Sequence, residues 1–265
     1  MFEQCINGDC AIVICKFLNP KDIITLYKMY PKILPKITRI FIRRVAEEID
    51  YFFKDAFKEK YEEFRKCMIS SNAMLSGSVI LQKMLGERWP GHGWGRLDVD
   101  IFVAVEPIFG DEPHGDHKNF TFYNYKHKFK LGYKKIHKFL HKCRERKNGY
   151  NGYVTHSQYM NEFGEQVLLR LNQYVIDKTN IFQVVEINKD KFNNWQEFID
   201  KTVDFDICKN MFYYSDDEEG FHLNIGSLTS IIHKQAKFGY VHSKDLSRKR
   251  REKYVERGFT FTNNI

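Results

Sequence analysis

Two acidic pairs share one spacing. Asp98 and Asp100 alternate with Leu97, Val99 and Ile101, and Asp204 and Asp206 alternate with Val203, Phe205 and Ile207. On an extended strand, residues i and i+2 project from one face with Cα atoms roughly 6 to 7 Å apart, so each pair would set two like charges side by side. A cation offsets that repulsion, and hard carboxylate oxygens suit Mg²⁺ or Mn²⁺ bound together with substrate phosphates. Upstream, Gly77-Ser78 open a helical run, where backbone N–H groups, a hydroxyl and the positive end of the helix dipole would receive an anion. Lys209 and Asn210 follow the second acidic pair, within reach of a phosphate or ribose, although solvated positions at a strand end are the simpler reading. A Gly-Ser dipeptide is commonly a turn and an Asp-x-Asp strand commonly a charged edge. The ordered set is more specific than any member.

The elements that position these residues follow from periodicity. Residues 97–105 alternate apolar and polar and predict a strand, while 79–86 predict a short helix before it. Residues 166–176 and 180–187 predict two strands joined at Asp177-Lys178-Thr179, 191–201 a helix, and 202–208 a further strand. Helices are expected over 227–238 and 243–257, the last stopped by Gly258. Residues 1–70 are helical in pattern without a strand candidate, with Asn19 and Pro20 placed to start one helix. These elements predict an α/β (α+β) chain built on a mixed sheet. They divide it into a helical N-terminal region (1–70), a core (71–215) and a C-terminal helical part (216–265).

Composition bounds the function. The chain has 265 residues, 43% apolar and 15% aromatic, which is too rich in core-forming side chains for a disordered segment. No apolar run approaches the roughly 20 residues of a membrane span, so a soluble protein with no membrane partner is expected. Six cysteines without a CxxC pair imply reduced thiols in an intracellular, cytoplasmic setting. The net charge is +8, and residues 126–147 hold ten Lys and Arg against one acid, Glu145, with aromatics between. Such a stripe tracks a nucleic-acid backbone or is a solvated face whose Lys stems cover the core. A second basic cluster at 244–257 is interleaved with Asp245, Glu252 and Glu256 and reads as an ordinary charged helix. His137 and His141, with Cys143, and His114 and His117 have zinc-like spacing, but no second half completes a tetrahedral set.

With Leu75-Ser76-Gly77-Ser78, Asp98-Val99-Asp100-Ile101, and either Val203-Asp204-Phe205 or Phe205-Asp206-Ile207 in that order, the sequence resembles the nucleotidyltransferase superfamily of polymerase beta type. It looks most like divergent members found in large DNA viruses, a setting that would place it in host-cell cytoplasm. The resemblance spans about residues 70 to 260 and implies a mixed-sheet core that moves a nucleotidyl group from a nucleoside triphosphate to an acceptor. By that resemblance Gly77 and Ser78 contact the triphosphate, Asp98 and Asp100 hold Mg²⁺ or Mn²⁺, and Asp204 or Asp206 completes the metal site. One departure is the gap of nineteen residues between Ser78 and Asp98, longer than usual for the family. Residues 12–33 are similar to the core of an F-box, a module that docks on a ubiquitin-ligase adaptor, without its Leu-Pro opening; a plain helical cap is the other reading. The alternative functions are therefore an F-box-type adaptor and a nucleic-acid-binding protein, each with a non-catalytic transferase-like domain.

Overall fold

The computed structural model describes residues 8–89, 97–105, 131–143, 168–176, 180–239 and 244–262. The N-terminal region is helical as expected: α1 (Gly8–Cys15), α2 (Pro20–Met29), α3 (Leu34–Phe57) and α4 (Tyr61–Ser70). Pro20 occupies the first turn of α2, and the Asn19 side chain accepts a hydrogen bond from the Asp22 N–H at 2.9 Å. That satisfies a donor which the helix start would otherwise leave unpaired. Along α3, Ile37, Phe41, Val45, Ile49, Phe53 and Phe57 recur every four residues and are all buried, forming one apolar stripe beneath a charged face.

The remaining elements are β1 (Met74–Ser76), α5 (Ser78–Leu85), β2 (Leu97–Val105), α6 (Leu131–Cys143), β3 (Leu168–Val175), β4 (Asn180–Asn188), α7 (Trp195–Thr202), β5 (Met211–Tyr214), β6 (Phe221–Asn224), α8 (Leu228–His233), β7 (Gln235–Ala236), α9 (Lys244–Glu256) and β8 (Thr260–Phe261). Six strands form a mixed sheet in the order β3-β4-β2-β1-β5-β6, with β2 and β4 parallel and the other neighbours antiparallel. This is the α+β architecture expected from the sequence. Strand alternation divides β2 between two faces. Val99, Ile101 and Val103, fully buried, share a face with Phe182 of β4, which packs on Phe53 and Phe57 of α3; Phe57 in turn meets Phe139 of α6. The other face carries Asp98, Asp100 and Phe102, and Phe102 packs on Phe198 of α7.

Three expectations need correction. Residues 202–208 form no strand: Phe205 makes a single antiparallel bridge to Phe238, and a 3-10 turn follows at Asp206–Cys208. The Asp206 carboxylate accepts from the Ile207 and Lys237 N–H groups at 2.9 and 2.7 Å, and such local side-chain bonds compete with a strand ladder. The helix expected over 227–238 ends at His233, where Lys234 turns left-handed at φ 52 and the chain continues into β7. Nor is the C-terminal part wholly helical, because β6 completes the main sheet and β7 pairs in parallel with β8. One hydrophobic cluster runs from Ala11 to Phe259 and so includes side chains of all three regions. Among the described residues no helix is long and apolar enough to cross a membrane.

Candidate active site

Asp98 and Asp100 stand on one face of β2, as the alternation requires, and the register sets Asp100 between Ser76 of β1 and Gln183 of β4. The chain leaves Ser76 through Gly77, at φ +90, and enters α5 at Ser78. A Cβ at position 77 would lie 3.0 Å from Asp100 Oδ2. Glycine is therefore required twice there, for a conformation that other residues rarely adopt and for the close approach of the carboxylate. Burial, and then the neighbouring Asp98 charge, push the Asp100 carboxyl up to about 6, while Lys253 and Arg250 oppose the shift. The Gly-Ser and Asp-x-Asp segments, separate in sequence, thus meet at Gly77 and Asp100.

The second acidic pair is split by the turn. Both oxygens of Asp206 are occupied, Oδ1 by the Ile207 and Lys237 N–H groups and Oδ2 by the Ser230 hydroxyl at 2.6 Å. Asp204 is nearly fully buried and its Oδ1 lies 3.1 Å from Nη1 of Arg250, the same residue whose charge acts on Asp100. Asp204 is thereby linked to the first pair through Arg250, whereas Asp206 closes a loop. Lys209 and Asn210 are also committed: Lys209 Nζ donates to the Asp200 carbonyl at 3.0 Å, and Asn210 Nδ2 donates to the Ile207 carbonyl at 2.6 Å. The Asn210 backbone carbonyl accepts from the Ser76 hydroxyl at 2.7 Å and so anchors the end of β1 just before Gly77.

The cations facing Asp98 and Asp100 come from the end of α9. Arg250, Lys253 and Arg257 recur at helical spacing, and Asp98 acts electrostatically on both Lys253 and Arg257. Tyr254 seats the helix: it is buried, packs edge-on against Phe205, Trp89 and Phe259, and its hydroxyl accepts from Cys208 Sγ at 3.0 Å. Arg257 lies over the Trp89 and Tyr254 rings, 4.4 and 5.2 Å from their centroids. Burial lowers the pKa of both Lys253 and Arg257. The interleaved acids conceal this arrangement in the sequence; the signal is the three- and four-residue spacing of the cations around an apolar Tyr254.

Two carboxylates on one strand face, one of them with a raised pKa, are a donor set that a hard divalent cation fits, and Gly77 keeps the space beside Asp100 open. Asp206 does not fit such a role because its oxygens are taken. Among the described residues no three His, Cys, Asp or Glu side chains converge as a ready-made metal cage.

Of the basic stretch 126–147, the structure describes 131–143, within which Lys134, Lys135, Lys138 and Lys142 are exposed over buried Ile136, Phe139 and Leu140. His137 is turned inward, with Nε2 3.1 Å from Glu186 and Nδ1 2.5 Å from the Tyr174 hydroxyl, which ties α6 to the sheet. His114, His117, Glu145 and the rest of that stretch lie outside the described residues, as does the segment 90–96. Comparison with protein-family models, with curated proteins and with solved structures finds no match for this chain.

Proposed function

We propose that the chain is a nucleotidyltransferase that uses a nucleoside triphosphate and a divalent cation, Mg²⁺ or Mn²⁺, and belongs to the polymerase beta type superfamily that its motifs resemble. One observation carries the reading: Gly77, at the start of α5, lies directly against the Asp100 carboxylate of β2. Asp98 and Asp100 would hold the cation, and Asp204 is the third candidate ahead of Asp206. When bound, the cation supplies positive charge to the phosphates. The Gly77-Ser78 turn offers backbone donors to phosphate oxygens, and the end of α9 lines the opposite wall with positive charge. Nucleic acid is one acceptor class, with the exposed lysines of α6 as its contact surface.

The test is transfer of label from each α-labelled nucleoside triphosphate to RNA, DNA and protein acceptors, with Mg²⁺ or Mn²⁺, beside Asp98→Ala and Asp100→Ala. Label that requires both aspartates supports the reading, and label that survives both changes overturns it. A second reading, the adaptor, has one observation in its favour. Val13, Ile14 and Phe17 are exposed at the end of α1, Phe17 by 81%. A pull-down of the ligase adaptor by the full chain, lost in Phe17→Asp with folding intact, would support it.

A further inference from the structure

Resting on that reading of the site, we propose that Arg257 is the anchor for the polyphosphate of the nucleoside triphosphate. Its guanidinium is fixed in advance against two aromatic rings, with a buried donor left open for a phosphate oxygen, and Lys253 supplies a second positive charge to the same phosphates.

Arg257 is held at its side chain and at its backbone. The guanidinium lies over the rings of Trp89 and Tyr254, 4.4 and 5.2 Å from their centroids, and the two rings meet edge-on at 86°. Trp89 is fixed in turn, because its backbone N–H donates to Gln82 Oε1 at 2.7 Å and its Nε1 donates to Glu87 Oε2 at 2.9 Å. The other Glu87 oxygen pairs with Lys234 Nζ at 2.7 Å, and Lys234 Nζ donates to the Arg257 backbone carbonyl at 3.1 Å. These contacts close a ring that joins the end of α5 to the end of α9. Nothing in it uses Nη1 of Arg257, which is buried and has no hydrogen-bond partner.

A cation oriented this closely, with a buried donor unused, is destabilising in the free protein and calls for an acceptor. A phosphate oxygen suits the planar fork of an arginine and forms a charge-assisted bond with it. Two observations favour a chain of phosphates over a single small anion. Lys253 lies one helical turn before Arg257 and is partly buried, and the Arg257 charge repels it, so the helix end holds two like charges partly withdrawn from water. Asp98 acts electrostatically on both, and it stands two residues from the Asp100 carboxylate that Gly77 touches. The cations and the Gly77 turn therefore border one acidic strand end. A polyphosphate is long enough to engage more than one of these groups, and the divalent cation that accompanies it offsets repulsion from the aspartates.

The probe is inorganic tripolyphosphate, titrated calorimetrically into the full chain in Mg²⁺. Arg257→Met keeps an apolar group against the rings and removes the open donor, so it should weaken binding on the order of tenfold or more. Its melting temperature without tripolyphosphate should be unchanged or raised, because an unsatisfied donor is gone. Arg257→Lys keeps the charge but not the fork and should also bind more weakly; it carries the test if Arg257→Met fails to fold. Lys253→Gln should lose less than Arg257→Met. An arginine that serves only the fold predicts the reverse, a lowered melting temperature with tripolyphosphate affinity unchanged, and that result overturns the proposal. So does the absence of tripolyphosphate binding, or tighter binding of a single-stranded oligodeoxynucleotide with the same dependence on Arg257. If the proposal fails while Mn²⁺ binding, followed by electron paramagnetic resonance, is lost in Asp98→Asn/Asp100→Asn, the transferase reading survives that failure. If tripolyphosphate binds through Arg257 and no Mn²⁺ binds, the anion site stands and the transferase reading falls.

Discussion

Gly77 and Asp100 are the two residues on which the candidate site turns, and each makes a separable prediction. Gly77→Ala places a Cβ in a left-handed conformation and 3.0 Å from Asp100 Oδ2, so it should destabilise the fold by about 1–3 kcal/mol. Part of that cost is the clash, and part is the backbone. Chemical denaturation should therefore find the substitution less costly in an Asp100→Ala background; equal costs would mean that the close approach is not a real constraint. Asp100 itself should act through pH. Its carboxyl is raised from 3.8 to about 6, so the folded protein holds the proton more tightly than the unfolded chain does. The stability it contributes is present below about pH 4 and is lost as pH rises through 6. Asp100→Asn should accordingly be more stable than the unsubstituted protein at pH 7 in a chelator, by about 2–3 kcal/mol, and the difference should close near pH 4. A difference that persists at pH 4 would assign it to packing instead. Asp98 and Asp100 were readable from alternation alone, because β2 is long and every odd residue is apolar. What alternation does not convey is that Gly77 lies against Asp100, since that contact depends on the antiparallel register of a strand only three residues long.

Among the elements, the loop that joins α7 to β5 shows where pattern and structure part. Val203, Phe205 and Ile207 are all buried, so the apolar alternation is real, but it marks side chains packed into the core, Phe205 against Tyr254 of α9, rather than a strand. The deciding residue is Asp206, whose carboxylate gathers two backbone N–H groups and the Ser230 hydroxyl and so ties the turn to α8 and to the start of Lys237. Asp206→Ala removes the acceptor of all three hydrogen bonds at once and should destabilise the protein by about 2–4 kcal/mol, with Asp206→Asn costing less. Thermal unfolding of the two variants checks the order. The same change should leave the affinity for Mn²⁺ of the surviving folded protein within about twofold, because both Asp206 oxygens are already taken by hydrogen bonds. The short strands β1, β5 and β6 escaped sequence reading for a related reason. Three or four residues carry too little periodicity, and their places in the sheet come from neighbours distant in sequence, such as Leu75 opposite Phe212.

For the molecule as a whole, the question is whether residues 1–33 are a separable module or part of the core. Their contacts favour the core. Ala11, Cys15, Ile23, Ile24 and Tyr27 are buried, and the Tyr27 hydroxyl lies 3.4 Å from Nε2 of His233 on α8, 206 residues away. Arg44 of α3 donates to the Leu18 carbonyl at 3.1 Å. Gly86, at φ +61 at the end of α5, admits α2 so closely that a Cβ there would stand 2.6 Å from that of Lys21. Burying an aliphatic or aromatic side chain of this kind is worth roughly 1.5–3 kcal/mol, and a whole domain holds only about 5–15 kcal/mol in reserve. Deleting residues 1–33 should therefore abolish cooperative unfolding: the shortened chain should lose its near-ultraviolet circular dichroism and melt without a sharp transition. A detachable adaptor-binding module predicts the reverse, a shortened chain that melts as sharply as the full protein and within a few degrees of it. Because α2 packs on α5, whose first turn carries Ser78, the deletion should disturb the candidate site along with the fold. On this reading the N-terminal helices are a wall of the sheet core.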